Sequence, residues 1–309
     1  MTRAVIFPGQ GSQFVGMGAS LLENFPVAKA VFDEVDEALG EKLSALMFDG
    51  PIETLSLTVN TQPALMAHSI AALRVLESET GFRINDCAFA AGHSLGEYSA
   101  LCGAGAIALA DTAKLLRKRG EAMQAAVPVG EGGMAVLIGV DVDGAQAAID
   151  ALKGDGLCEI ANDNGPKQVV VSGQASAIEA VCAGARGEGV KIAKPLPVSA
   201  PFHSSMMAPA QPIMEEALAQ CQIETPTPPI IANVTAAPMS SPDDIRKALV
   251  EQVAGRVRWT ESVHAMVSAG VTEFVEIGAG DTLCGLIKRI EKSVELKSFG
   301  APEQLSAFQ

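Results

Sequence analysis

The stretch that decides how this chain is read is Gly92-His93-Ser94-Leu95-Gly96-Glu97, a G-x-S-x-G pattern. Before it runs a small apolar segment, Cys87-Ala88-Phe89-Ala90-Ala91, short enough for a buried strand. After it comes Glu97-Tyr98-Ser99-Ala100-Leu101-Cys102, which suits the opening of a helix. Strand, sharp turn and helix form the context in which such a serine stands on a nucleophile elbow. A side chain at Gly92 or Gly96 would collide there with the neighbouring strand or helix. The serine oxygen then stands exposed above a sheet, and the Leu95 amide points at the same spot from a helix N-terminus. The competing reading is a glycine-flanked turn carrying an ordinary serine.

Working outward, the pattern on both sides alternates strand and helix. Arg3 to Phe7 reads as a strand and runs into Pro8-Gly9-Gln10-Gly11-Ser12-Gln13, whose glycines allow a tight turn and leave amides unshielded. No Lys-Ser/Thr follows, so a Walker-type phosphate loop is not expected. Helices are predicted at 16–24, 26–39 and 62–80, the last with Thr61 as its cap and Pro63 in its first turn. Downstream, a helix over 205–220, a strand from Ile230 to Val234, helices over 242–253 and 259–269, a strand from Glu273 to Ile277 and a helix over 281–292 complete the alternation. That order predicts an α/β fold with a mostly parallel sheet covered on both faces.

Between these halves the pattern changes. Strand 134–140, helix 143–152, strand 157–162, strand 168–172, helix 175–186 and strand 190–196 give βαββαβ, the split ferredoxin-like order. We therefore expect residues 129–196 to form a small inserted subdomain, and residues 1–128 and 197–309 to form the large domain.

The segment from Asp111 to Val127 reads as a helix with Asp111 as N-cap. Ala113, Leu116, Gly120 and Met123 fall on one face, and Lys114, Arg117, Lys118 and Glu121 on the other. Arg119 lands on the apolar face. A charge there is costly unless it has a partner or borders a cavity. Periodicity leaves two readings open: an arginine snorkelling to the surface, or one aimed into a pocket to hold an anion.

Composition narrows the function classes. The 309 residues carry a formal charge of −14, which argues against nucleic acid as a partner. No apolar run reaches the ~18 residues of a membrane span. The chain enters its first strand at once, leaving no room for a signal peptide, and its six cysteines form no C-x-x-C pair. A cytoplasmic enzyme with buried thiols is the expectation, and the four histidines are too dispersed to suggest a metal site.

A serine hydroxyl needs a neighbouring base. His93 is adjacent to Ser94, and adjacent side chains diverge. His68 and His264 sit inside helical patterns, which leaves His203, in Pro201-Phe202-His203-Ser204, as the best candidate. A triad would also want a carboxylate. Asp243, Asp244, Glu273, Glu276 and Asp281 are available, and a backbone carbonyl is the alternative. Cys102 and Cys284 lack an evident base, and Gly278-Ala279-Gly280 reads as a strand-to-helix turn.

Six motifs in order resemble the malonyl-CoA:acyl-carrier-protein transacylases, the stand-alone bacterial acyltransferases of fatty-acid synthesis. They are Phe7-Pro8-Gly9-Gln10-Gly11-Ser12-Gln13, Thr61-Gln62-Pro63-Ala64, Gly92-His93-Ser94-Leu95-Gly96-Glu97, Arg117-Lys118-Arg119-Gly120, Pro201-Phe202-His203-Ser204 and Ile277-Gly278-Ala279-Gly280. The resemblance implies an α/β-hydrolase-like large domain with a ferredoxin-like insert and no cofactor, coenzyme A thioester being a substrate. It implies a ping-pong transfer in which Ser94 takes malonyl and passes it to the phosphopantetheine thiol of acyl carrier protein. His203 would be base and then acid, the Gln10 and Leu95 amides an oxyanion hole, and the Gln252 main-chain carbonyl the group that orients the histidine. Arg119 would bind the free carboxylate of malonate. Gln62, His93, Asn164 and Met123 would line or support the pocket, and Phe202 would restrict the space for an α-methyl. Carrier proteins are acidic, so docking needs a local basic patch. Lys114, Arg117 and Lys118 form one candidate, and Lys191 and Lys194 another. A thioesterase or carboxylesterase using the same Ser94 and His203, or a non-catalytic module that binds carrier protein, stand as the alternatives.

Overall fold

The computed structural model describes residues 2–152, 154–198 and 200–309. In chain order the strands are β1 (Arg3–Phe7), β2 (Phe89–Gly92), β3 (Gly132–Ile138), β4 (Cys158–Asp163), β5 (Gln168–Gln174), β6 (Ile192–Pro195), β7 (Ile230–Ile231), β8 (Pro238–Met239), β9 (Glu273–Ile277) and β10 (Glu295–Phe299). They form two sheets. The first has the order β10-β9-β1-β2-β7-β8 and is parallel apart from the edge strand β8. The second has the order β4-β5-β3-β6 and is antiparallel. This is a mixed α/β fold.

The central strands are apolar because both of their faces are covered. Ala4, Val5, Ile6 and Phe7 are wholly buried. Helix Thr58–Glu79 packs on this sheet and is buried on nearly every side, from Thr61 through Leu73. Its start corrects the expectation of Thr61 as cap. The helix begins one turn earlier, and the Thr61 hydroxyl donates to the Leu55 carbonyl instead. Helix Leu109–Ala125 likewise begins before Asp111, which lies in its first turn. The expected strand over 230–234 is paired only at Ile230–Ile231, and β10 was not foreseen. Helix 205–220 is a 3-10 turn, Ser205–Ala210, followed by Gln211–Ala219.

The second sheet has its own apolar core, with Ala135, Leu137, Val169 and Val171 facing Ile149, Ile178 and Val181 of helices Val142–Leu152 and Ala175–Gly184. It is tied to the first part of the fold at the end of β4. There Asp163 N–H donates to Val257 O, and Val257 N–H donates to Ala161 O. The tie brings Asn162 and Asn164 toward the C-terminal ends of β1 and β2, where Phe7 and Gly92 are paired.

Among the described residues no helix is long and apolar enough to cross a membrane.

Candidate active site

The elbow forms as its glycines require. Ser94 has φ 53° and ψ −112°, between the end of β2 and helix Leu95–Gly103. A Cβ on Gly92 would lie 1.9 Å from Gly96 O, and one on Gly96 would lie 2.3 Å from Phe7 O. Both obstacles are backbone. Gly92→Ala is therefore expected to destabilise the fold by at least about 3 kcal/mol, the upper end of ordinary overpacking costs. Chemical denaturation checks it against Gly81→Ala, where a Cβ meets nothing within 4 Å. Equal stability of the two variants would show that the turn has slack.

Ser94 Oγ lies 2.7 Å from His203 Nε2. His203 also has a positive φ, 57°, so two of the three non-glycine residues in that region among those described meet here. Its Nδ1 faces two carbonyl oxygens, Gln252 O at 3.0 Å and Gly255 O at 3.1 Å. Carbonyls only accept, so Nδ1 carries the hydrogen and Nε2 presents a lone pair to the hydroxyl. Burial, then the charges of Arg119 and His93, hold the His203 pKa down at about 3, so the ring is neutral at pH 7.

The carboxylates considered as triad partners lie elsewhere. Glu276 accepts from the N–H groups of Leu283 and Cys284 at the start of helix Thr282–Ile290, and Glu273 pairs with Arg3 and Lys297. Gly278 packs closely on Ser69 and Pro8, which fits a turn rather than a nucleotide loop. Burial pushes the Cys102 thiol up to about 12 and raises that of Cys284, so neither offers a thiolate.

Arg119 is 1% exposed and faces inward. Its Nη1 donates to Gln62 Oε1 at 2.7 Å, and its Nη2 to Gln252 Oε1 at 2.9 Å and Ser94 Oγ at 3.2 Å. The guanidinium lies over the Tyr98 ring, 5.7 Å from its centroid. Nε has no partner, and among the described residues no carboxylate forms an ion pair with it. A buried cation held by neutral groups keeps its charge available for an anion.

A cavity of about 480 Å³ opens over these groups. Gln10, Gln62, His93, Ser94, Leu95, Arg119, Met123, Phe202 and His203 all line it. Asn164 stands behind the wall, its Oδ1 2.8 Å from His93 Nε2, while the His93 ring packs 5.7 Å from that of Trp259. Gln252 also lies behind the wall and is fully buried. Three groups were missed. Asn162 lines the cavity from β4. Asn233 accepts from Ser94 N–H and donates to Gly92 O, both at 2.7 Å. Glu97 is buried beneath the turn. A lone asparagine in a turn carries no local signature, but Glu97 stood inside the quoted motif, and a charge in an otherwise apolar helix start was a signal.

Of the basic residues, Lys114, Lys118, Lys191 and Lys194 are exposed. Arg117 is not free surface charge. It donates to Asn60 Oδ1 at 2.6 Å and pairs with Glu41.

A family model described as "Acyl transferase domain" matches residues 5–299. The chain belongs to this acyl transferase family. Among its relatives is the malonyl CoA-acyl carrier protein transacylase of Bacillus subtilis (strain 168), 45% identical over 303 residues, with 98% of this chain and 94% of that protein covered. The transacylase of the same description from Escherichia coli (strain K12) is 42% identical, covering 98% and 97%. Among solved structures, the acyl-carrier-protein-S-malonyltransferase of Bartonella henselae is 51% identical with a TM-score of 0.96, covering 99% of this chain and 98% of that one. A structure described as a type II PKS acyl-carrier protein in complex with its malonyl-transacylase is 39% identical with a TM-score of 0.95, covering 99% and 98%. A neutral imidazole against a serine hydroxyl beside an open cavity is an arrangement that can carry out acyl transfer.

Proposed function

We propose that this acyl transferase moves a malonyl group from malonyl-CoA to the phosphopantetheine thiol of an acyl carrier protein, through an ester on Ser94. One observation carries the reading: the buried Arg119 guanidinium, unmatched by a carboxylate, and the Ser94 hydroxyl face one cavity only 3.2 Å apart. A three-carbon diacid has an electrophilic carbonyl at one end and an anion at the other. Ser94 would attack the first while Arg119 holds the second.

In the first half-reaction His203 Nε2 takes the Ser94 proton as Oγ bonds to the thioester carbonyl. The Gln10 and Leu95 amides stabilise the oxyanion. Leu95 is the first residue of its helix, where an amide lacks an intrahelical partner. The tetrahedral intermediate then expels the coenzyme A thiolate, which receives the proton from His203. In the second half-reaction His203 takes the proton of the carrier thiol, the thiolate attacks the ester, and the proton returns to Ser94. The Gln252 and Gly255 carbonyls keep the ring oriented throughout. Phe202 and Met123 bound the room around the acyl group, with Gln62 and His93 on the same wall.

The acidic partner would dock on Lys114 and Lys118, or on Lys191 and Lys194. We further read residues 129–196 as a ferredoxin-like subdomain inserted into an α/β-hydrolase-like domain of 1–128 and 197–309. The antiparallel order β4-β5-β3-β6 with both of its helices on one core supports this. We assign the reaction to the cytoplasm.

Arg119→Ala tests the reading. Breaking a buried ion pair costs about 3–5 kcal/mol, so malonyl transfer should fall by ~10² or more. Acetyl transfer, which brings no second charge, should change far less. Equal losses measured with the two coenzyme A esters would overturn the assignment.

A further inference from the structure

Glu97 is 2% exposed, and a single oxygen, Oε2, accepts from two donors: Asn233 N–H at 3.0 Å and Gln252 Nε2 at 2.8 Å. Each donor leads into the site. Asn233 holds both sides of the elbow through Ser94 N–H and Gly92 O. Gln252 donates a second time, from Nε2 to Ser94 O at 3.0 Å, and receives Arg119 Nη2 on Oε1. The side chains that hold the nucleophile's turn and the guanidinium, Asn233 and Gln252, thus meet at one carboxyl group.

The orientation of the Gln252 amide is the important variable. Arg119 only donates, so it needs the oxygen end. Ser94 O and Glu97 Oε2 receive the nitrogen end. A reversed amide would set NH2 against guanidinium and carbonyl against two oxygens. Without Glu97, one of the two acceptors that prevent this is gone, and a buried Asn233 N–H loses its partner as well.

We propose that Glu97 is a positioning residue for acyl-group selection, holding the Gln252 amide so that Arg119 is presented to the carboxylate of the incoming acyl chain. This rests on the reading of Arg119 given above. Burial, opposed by its two hydrogen bonds and by Arg119, holds the acid up at about 7. Glu97 therefore does not confront the guanidinium with a full negative charge at neutral pH, and the cation is left for a ligand.

The test compares Glu97→Gln, which keeps an acceptor, with Glu97→Met, which has similar length and none. The readout is the ratio of kcat/KM for malonyl-CoA over acetyl-CoA in acyl-enzyme formation, followed by mass spectrometry. In Glu97→Met the ratio is expected to fall about tenfold or more, as for a buried donor left unpaired, while acetyl transfer moves much less. Glu97→Gln should keep a ratio close to the native one. If Glu97→Met gives no soluble protein, Glu97→Asp, which withdraws the acceptor by one methylene, should show the same fall. An unchanged ratio in the acceptor-less or withdrawn variant overturns the proposal, as does an equal fall for both substrates or a Glu97→Gln that loses the ratio too. The native enzyme separates the two levels. If it has no preference for malonyl, the reading of Arg119 fails. If it has the preference and the variants retain it, only the role of Glu97 fails.

Discussion

Ser94→Ala is expected to form no acyl-enzyme and to lower transfer by at least ~10³, the scale seen when a nucleophile acting with its base is removed. His203 Nε2 has Ser94 Oγ at 2.7 Å, and without that oxygen nothing at the elbow can carry the acyl group. The cysteines offer no substitute, since burial holds Cys87 and Cys102 up at about 12. The variant should still fold. Alanine retains the Cβ, and Ala236 already occupies φ 54° in this chain. Mass spectrometry after exposure to malonyl-CoA gives the answer. A label persisting at full yield in Ser94→Ala would move the nucleophile elsewhere.

The second large effect is expected at His203. His203→Ala should slow both half-reactions by roughly 10² to 10⁴, the usual range for general acid–base help. Rapid-quench measurement of acylation by malonyl-CoA and of discharge to carrier protein resolves the two steps, and native rates in either would contradict the assignment. The native enzyme adds a pH signature. The ring is a base only when neutral, and in the folded protein its pKa is held at about 3, mainly by burial and further by Arg119 and His93. Falling pH therefore protonates it far later than an ordinary histidine near about 6.5. Since kcat/KM reports the free enzyme, its acid limb should lie well below pH 6.5. A limb at 6.5 that Glu97→Gln leaves in place would mean that the ring is more open to water than its burial implies.

How much of this was legible beforehand follows from how local each signal is. The elbow was readable because strand, Gly-x-Ser-x-Gly and helix follow one another without a break between Cys87 and Cys102, and each glycine has a steric reason. Arg119 was readable as an anomaly, a charge on an apolar face; periodicity left its direction open, and only the motif resemblance pointed it into a pocket. Asn233 was not readable. It lies 139 positions from Ser94, and its contribution exists only when β7 pairs beside β2. The side chain of Gln252 was hidden in the same way: the resemblance pointed to its main-chain carbonyl, whereas the amide also bridges Arg119, Glu97 and Ser94. The misplaced starts of Thr58–Glu79 and Leu109–Ala125 have a simpler cause. Plausible caps at Thr61 and Asp111 lay inside the first turn, and neighbouring packing extended each helix past them. Arg117, taken for docking charge, sits on the face its periodicity assigned and is neutralised by Glu41, a residue 76 positions away.

On the proposed mechanism, the pair of main-chain oxygens shared by His203 Nδ1–H would set how long a loaded enzyme can wait. A carboxylate in that place would favour the protonated ring and so strengthen the base; two uncharged oxygens steer it without that reinforcement. Water, ionising only near about 15.7, depends on a strong base to attack an ester. A thiol, ionising near about 8.5, needs little assistance. Two carbonyls in place of an acid would thus slow spontaneous discharge to solvent more than hand-over to sulfur, and the stored acyl group would survive until its acceptor arrives.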